Sequence, residues 1–204
     1  MQCVFLPRLA NANGADVSGV DLSTSYQFET DKALWRIGLQ AAYLAEYEVE
    51  VQNRTDAGTT VFDAVGEYND DNPVARPLPE WKANASLNWS LDQHRAFFIL
   101  KYVDGVNHNL TNGATFFAAT AGLAHGSEFA ADFLDSSVGS WLTADLNYTF
   151  SFGEVKFVND ASVTIGVQNL TNEEPPFVPV ITGYDGTLHD PRGRVWSVRL
   201  SGSL

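Results

Sequence analysis

Residues 81–91 read WKANASLNWSL, and in this stretch apolar and polar side chains alternate strictly. The apolar set is Trp81, Ala83, Ala85, Leu87, Trp89 and Leu91, and the polar set is Lys82, Asn84, Ser86, Asn88 and Ser90. A period of two predicts a β-strand with one apolar face and one hydrated face. Trp81 and Trp89 are separated by roughly 26 Å along an extended strand. That span is close to the outward apolar band of about 25 Å in a membrane barrel.

The same alternation recurs along the chain, and helix signals are scarce. The runs, about seven in number, cover residues 18–28, 35–47, 81–91, 95–102, 141–150, 161–168 and 195–204. Their apolar faces hold no Asp, Glu, Lys or Arg. The charges lie on the opposite faces, at Asp21, Arg36, Glu46, Lys82, Arg95, Lys101, Asp145 and Arg199. The sequence therefore predicts an all-β chain whose apolar faces tolerate no charge.

The connections between these runs alternate in length. They are short at residues 30–32 and 92–94, intermediate at 151–160, and long at 49–79, 104–140 and 169–194. Successive connections of an antiparallel meander lie at opposite ends of the sheet, so every long connection is expected at one end. This asymmetry is typical of an up-and-down transmembrane β-barrel.

Aromatic residues concentrate at both ends of the runs. Phe28, Trp35, Trp89 and Phe150 lie at the short-connection end, and Tyr43, Tyr47, Trp81, Tyr102 and Trp196 lie at the long-connection end. Two such rows around an aliphatic belt are typical of a membrane interface. A soluble two-sheet sandwich stays open as the alternative, because its core also excludes charge. Small residues such as Ala83 and Ala85 between the aromatic rings favour the barrel.

Composition excludes several classes of function. The net charge is −13 and the chain has only 12 Lys and Arg residues, which argues against a nucleic-acid partner. No run approaches the ~18 apolar residues of a spanning helix, and residues 1–14 lack the pattern of a secretory signal. The lone cysteine, Cys3, cannot form an internal disulfide. About seven strands are too few to close a barrel, so we expect part of a larger one or a truncated reading frame.

The C-terminal stretch carries a resemblance to a known family. Residues 166–204 read GVQNLTNEEPPFVPVITGYDGTLHDPRGRVWSVRLSGSL, and this ending resembles the C-terminus of the TonB-dependent outer-membrane receptors. VSGVDLSTSYQF (17–28) and LPEWKANASLNWS (78–90) are similar to strand starts of the same family. One departure is the last residue, Leu204, where the family usually has an aromatic residue read by the barrel-assembly machinery.

The resemblance implies a barrel of about 22 strands filled by an N-terminal plug. It implies import of a scarce, bulky nutrient (an iron chelate, cobalamin or a saccharide) through the outer membrane of a Gram-negative bacterium, energised by TonB. The expected partners are outer-membrane lipid, the plug, upstream barrel strands and TonB. On this interpretation residues 1–17 are the end of an extracellular loop or a truncated start, and residues 18–204 are C-terminal strands without the plug. A passive porin-like barrel and a soluble carbohydrate-binding sandwich are the alternative functions.

Candidate chemical groups are few, and no enzyme, cofactor or metal site is expected. The adjacent carboxylates Glu173 and Glu174, and Asp70 and Asp71, are interpreted as solvated loop charge because neither pair has the spacing of a calcium loop. His108 and His125 lie in the long connection 104–140 and His189 lies in 169–194, all on one side, but their separations fit no ligand pattern. Asp145 is expected in the hydrated inner wall or against the plug.

Overall fold

β-Strands account for all of the regular structure in the computed structural model, which describes residues 14–52, 59–69, 76–107, 137–155, 157–178 and 183–203. The strands are β1 (Gly14–Glu29), β2 (Leu34–Gln52), β3 (Thr59–Asp63), β4 (Trp81–Leu91), β5 (His94–Val103), β6 (Trp141–Val155), β7 (Val158–Gln168) and β8 (Val195–Ser203). None of the described residues forms a helix of the length and hydropathy needed to cross a membrane.

These strands form one antiparallel sheet of eight strands, in the order β1-β2-β4-β5-β6-β7-β8, with β3 paired to β2. Apart from the short β3, chain neighbours are sheet neighbours, so the predicted up-and-down topology is confirmed. The described strands supply no second sheet against which a sandwich core would pack. β1 and β8 each pair on one side only among the described strands, and they do not pair with each other.

Two connections differ from the sequence prediction. The predicted intermediate connection at 151–160 is mostly strand, because β6 runs to Val155 and β7 starts at Val158. The register passes from Ser151↔Ser162 to Gly153↔Ala161, so β6 has a bulge between Ser151 and Gly153. Gly153 has a φ of 73°, which lets β6 bend at this bulge. The second difference is β3, which lies inside the predicted 49–79 connection and pairs with residues 48–52 of β2.

The predicted apolar faces are exposed. Their exposed members are Val20, Leu22, Tyr26, Ile37, Leu39, Trp81, Leu142, Ile165, Trp196, Val198 and Leu200, with exposed fractions from 38% at Leu39 to 79% at Leu200. We call this the outer face, and the face carrying Asp21, Arg36, Lys82, Lys101 and Asp145 the inner face. A continuous apolar surface on one side of a sheet requires an apolar medium, since water contact would be unfavourable.

A β-bulge in β2 reverses the faces near the long-connection end. Val20 pairs with Tyr43, but Val17 pairs with Tyr47, because one extra residue of β2 is accommodated between Glu46 and Leu44. The prediction that Tyr47 lies on the outer face and Glu46 on the inner face is therefore wrong. Instead, Tyr47 packs against a small core around Val49. The extra residue shifts the two-residue alternation by one position.

Aromatic rings form rows across the strands at both ends of the outer face. At the short-connection end ring centroids follow one another at 6.2 Å for Phe28–Trp35 and 6.2 Å for Trp35–Trp89. The row continues through His94 to Phe150, with centroids 6.4 and 5.0 Å apart. At the other end the rings of Tyr43 and Trp81 lie tilted to each other, with centroids 4.6 Å apart. Both rows fit membrane interfaces, where an amphipathic ring meets lipid and water together.

Candidate functional site

The candidate site is a cavity on the inner face at the long-connection end. Its floor consists of polar positions of β4, β5 and β6, and its roof is the segment 186–193 of the connection between β7 and β8. The cavity volume is about 620 Å³. This connection therefore folds inward over the sheet.

Asp145 of β6 ties the start of the connection to the sheet. One carboxylate oxygen accepts a hydrogen bond from the Lys101 ammonium at 2.5 Å, and the other accepts from the backbone N–H of Asn169 at 2.9 Å. The Asp145 side chain is 11% exposed and that of Lys101 is 46% exposed. The backbone N–H of Leu170 also donates to the Ala144 carbonyl, at 2.6 Å. Asp145 thus belongs to the inner wall, as predicted, and anchors a connection there.

Asn169 continues this anchor into a turn. It has a φ of 50°, which asparagine tolerates better than most residues. Its amide donates to the Glu173 carbonyl and accepts from the Glu173 N–H, both at 2.8 Å. Asn172 accepts a hydrogen bond from the backbone N–H of Arg194 at 3.0 Å, so both ends of the connection are held together.

Asp185 joins the roof to another connection. Burial pushes the pKa of its carboxyl upward, but hydrogen bonds from Thr187, the Tyr68 side chain and the Leu188 backbone outweigh it, and the pKa lies below 3.8. Tyr68 packs in a buried cluster with Val106, Val138 and Val178. Three long connections therefore share one packed base above the sheet.

His189 and Trp141 form the back of the cavity. His189 is 4% exposed and Trp141 is 9% exposed, and their rings meet edge to face with centroids 5.3 Å apart. Neither the two ring nitrogens of His189 nor the indole nitrogen of Trp141 has a hydrogen-bond partner among the described residues. Burial lowers the pKa of His189 below 6.5, the charge of Lys82 adds to this, and Asp185 opposes it. His189 is therefore a neutral imidazole at neutral pH.

Asp190 and Arg192 lie at the cavity mouth. The guanidinium Nε and Nη2 of Arg192 donate to the Asp190 carboxylate, and the Arg192 backbone N–H does so too, at 3.1 Å. These bonds lower the pKa of Asp190 to about 2 and raise that of Arg192. Since both side chains are largely exposed, the pair shapes the turn before β8 more than it stabilises the fold.

The structure places only some of the sequence-predicted candidates. Glu173 and Glu174 are exposed, in keeping with solvated charge. The remaining positions, Cys3, Asp70, Asp71, His108 and His125, lie outside the described residues. Within the described ranges no three His, Cys, Asp or Glu side chains are grouped as metal ligands would be. Sequence reasoning missed the grouping of Lys82, Trp141 and His189. Its one signal was an aromatic residue, Trp141, on a polar face.

The fold and this site define a class of protein. An antiparallel up-and-down sheet with an exposed apolar outer face, aromatic rows at both ends and a charged inner face is a segment of a transmembrane β-barrel. The family model described as "TonB dependent receptor-like, beta-barrel" matches residues 3–170. The chain belongs to this family of outer-membrane transport receptors of Gram-negative bacteria, which is a transporter family and not an enzyme family.

The match ends before residues 171–204, which hold most of the C-terminal motif on which the sequence resemblance rests. Family membership therefore rests on the strands and connections that precede this motif. No curated protein and no solved structure matches the chain.

Proposed function

We propose that this chain is the barrel segment of a receptor that takes up a scarce, bulky nutrient (an iron chelate, cobalamin or a saccharide) with energy supplied through TonB. The observation that carries the proposal is the inward-folded connection between β7 and β8, which roofs a cavity of about 620 Å³ on the inner face. In this proposal the three long connections capture the nutrient on the outside of the cell. Family membership supports the direction of transport.

The free edges of β1 and β8 support a larger barrel around this sheet. In hydrocarbon each unpaired backbone N–H or C=O costs several kcal/mol, so edge strands need partners on both sides. We propose that further strands supply these partners and close the barrel. The hydrated inner face then surrounds a plug that TonB displaces.

TonB dependence separates this proposal from a passive, porin-like barrel. We expect that deleting the gene from its host abolishes uptake of one probe among labelled ferric citrate, cyanocobalamin and maltoheptaose. Restoring the gene restores uptake only in cells that also have TonB. A nutrient that still enters at the native rate without TonB would support the passive barrel and reject energised transport.

A further inference from the structure

We propose that His94 and Tyr148 form a binding site for the phosphate group of a membrane phospholipid, on the outer face at the short-connection end of the sheet. The inference goes beyond the proposed function, because it concerns the lipid around the barrel and not the transported nutrient. It depends only on the membrane placement of the outer face.

His94 is a polar side chain within an aromatic row. It pairs with Leu91 of β4 and Phe150 of β6, and paired residues share a face, so its ring lies on the outer face. Its ring centroid is 6.4 Å from that of Trp89 and 5.0 Å from that of Phe150. Tyr148 lies two positions before Phe150, on the same face, and its ring centroid is 6.0 Å from that of His94. An imidazole and a phenol therefore lie among rings that mark a membrane interface.

The two side chains share one hydrogen bond, which joins His94 Nδ1 to the Tyr148 hydroxyl at 2.5 Å. If the hydroxyl donates, the imidazole carries its proton on Nε2; if Nδ1 donates, the hydroxyl proton is left over. Each arrangement of the neutral pair thus leaves one N–H or O–H unused, and a protonated imidazole leaves two. The described residues form no other hydrogen bond with either side chain. The pair therefore needs an external acceptor in every protonation state.

The unused donor is accessible from the outer face. Both rings are only half-buried. The fully buried polar atoms that lack a partner among the described residues belong to Trp141 and His189, and none belongs to His94 or Tyr148. On β4 and β5, and on residues 141–150 of β6, the outer face carries no carboxylate that could accept the hydrogen bond. The acceptor must therefore come from the surrounding medium.

A phospholipid phosphate matches this donor in depth and in charge. It lies at the interface, where the aromatic row lies, and its anionic oxygens accept stronger hydrogen bonds than neutral acceptors do. An acyl chain has no acceptor and would leave the donor unsatisfied, which is unfavourable. The flanking rings of Trp89 and Phe150 provide apolar surface for the acyl chains of the same lipid.

The direct test uses the receptor purified from cells that express the native gene and placed in bilayers of dioleoylphosphatidylglycerol. Solid-state NMR measures dephasing of the ¹⁵N-histidine signals by lipid ³¹P, and His94→Phe identifies the signal of His94. We expect a nitrogen–phosphorus distance of about 5 Å or less, as a hydrogen bond to the phosphate requires. A His94 signal without dephasing would show that water alone satisfies the donor, and it would overturn the proposal.

Native mass spectrometry measures how tightly the solubilised receptor retains dioleoylphosphatidylglycerol. We expect retention of the most tightly held lipid to weaken about tenfold in His94→Phe and roughly threefold or more in Tyr148→Phe, because each variant keeps a ring and removes hydrogen-bonding groups. The matched control, Tyr26→Phe, removes the hydroxyl of another outer-face ring, which stacks on Phe28, and should leave retention unchanged. Heat-modifiability on a gel normalises each preparation for folded protein.

Two competitors identify the source of the phosphate. Digalactosyldiacylglycerol has acyl chains but no phosphate, and the receptor should hold it about tenfold more weakly. Inorganic phosphate should not displace the phospholipid. Equal retention of both lipids, displacement by inorganic phosphate, native retention in His94→Phe or an equal loss in Tyr26→Phe would each overturn the site. These outcomes do not involve nutrient uptake, so failure of this inference leaves the proposed function standing.

Discussion

Asp145 illustrates how one inner-face side chain positions a whole connection. Its two oxygens bind Lys101 on the neighbouring strand and the backbone of Asn169 where the connection begins. A buried carboxylate with both oxygens hydrogen-bonded has little freedom to rotate, so the chain after β7 leaves the sheet in one direction. His189, later in the same connection, packs against Trp141.

His189 should make the roof of the cavity sensitive to acid. The neighbouring charges are Lys82 and Asp185, and burial lowers the pKa of His189 below 6.5. When the roof lifts, the imidazole regains its ordinary pKa and binds a proton more tightly than in the packed state. Packing of the roof should therefore weaken progressively as the pH falls below about 6.5, and it should be insensitive to this histidine above that pH.

Tryptophan fluorescence of outer-membrane preparations between about pH 7.5 and 5 measures this effect. We expect a red shift on acidification in the native chain and none in His189→Gln, with Trp141→Phe identifying the signal of that ring. Asp185 and Asp190 titrate at lower pH, because both pKa values lie below 3.8. An identical pH profile in native and His189→Gln protein would contradict the assignment.

At the scale of elements, the bulge in β2 marks where the membrane-spanning part of the sheet ends. On the short-connection side of the bulge, outer-face partners such as Val20 and Tyr43 are apolar or aromatic. On the long-connection side, the same face of the sheet carries the pairs Ser18↔Glu46 and Asp16↔Glu48. Gly19 makes the bulge possible, because a Cβ at that position would lie 2.6 Å from the Tyr43 carbonyl oxygen. The strand thus changes from a lipid-facing to a water-facing pattern within one residue.

A pair of lysine substitutions in β2 tests which face meets hydrocarbon. Leu39 lies on the outer face midway between the aromatic positions Trp35 and Tyr43, and Gln40 is the next residue on the inner face. We expect Leu39→Lys to destabilise the folded barrel by about 2–4 kcal/mol, the cost of a lysine near the bilayer midplane. Gln40→Lys should change stability little, since it enters a hydrated surface.

The measurement is the temperature at which the folded, heat-modifiable band disappears on a gel. The two variants differ by one position in the chain and introduce the same side chain, so a general effect of lysine on the strand cancels. Equal losses in both variants would argue that the outer face does not contact lipid.

At the scale of the whole molecule, the two edge strands, β1 and β8, dominate the free energy of placing this sheet in hydrocarbon. β1 is 16 residues long and β8 is 9 residues long, and each has one side unpaired among the described strands. Exposed edges of this length favour association with other strands. In the complete receptor we propose that neighbouring strands take up these edges.

The 204-residue chain alone should consequently fail to form a stable inserted monomer. After refolding into detergent micelles, we expect no heat-modifiable monomer band, because the unpaired backbone groups of β1 and β8 cost several kcal/mol each in hydrocarbon. A discrete monomer band that survives in detergent and shifts on boiling would show that the sheet satisfies its own edges.

The sequence by itself determined seven of the eight strands, their two faces up to the bulge in β2, and the end at which the long connections lie. Each of these depends on a period of two or on the length of a connection, and both are local properties that can be read without coordinates. The exposed positions Leu22, Leu39 and Leu200 all lie on the faces that the alternation predicts.

Only the tertiary structure decided where the alternation of apolar and polar residues breaks and how the long connections pack on the sheet. The bulge before Glu46 depends on register between two strands, and β3 forms because its residues find β2 as a partner. Lys82, Trp141 and His189 are far apart in sequence and meet because a connection folds inward over the sheet. Such contacts depend on long-range packing and hydrogen bonds, which a local two-residue period does not predict.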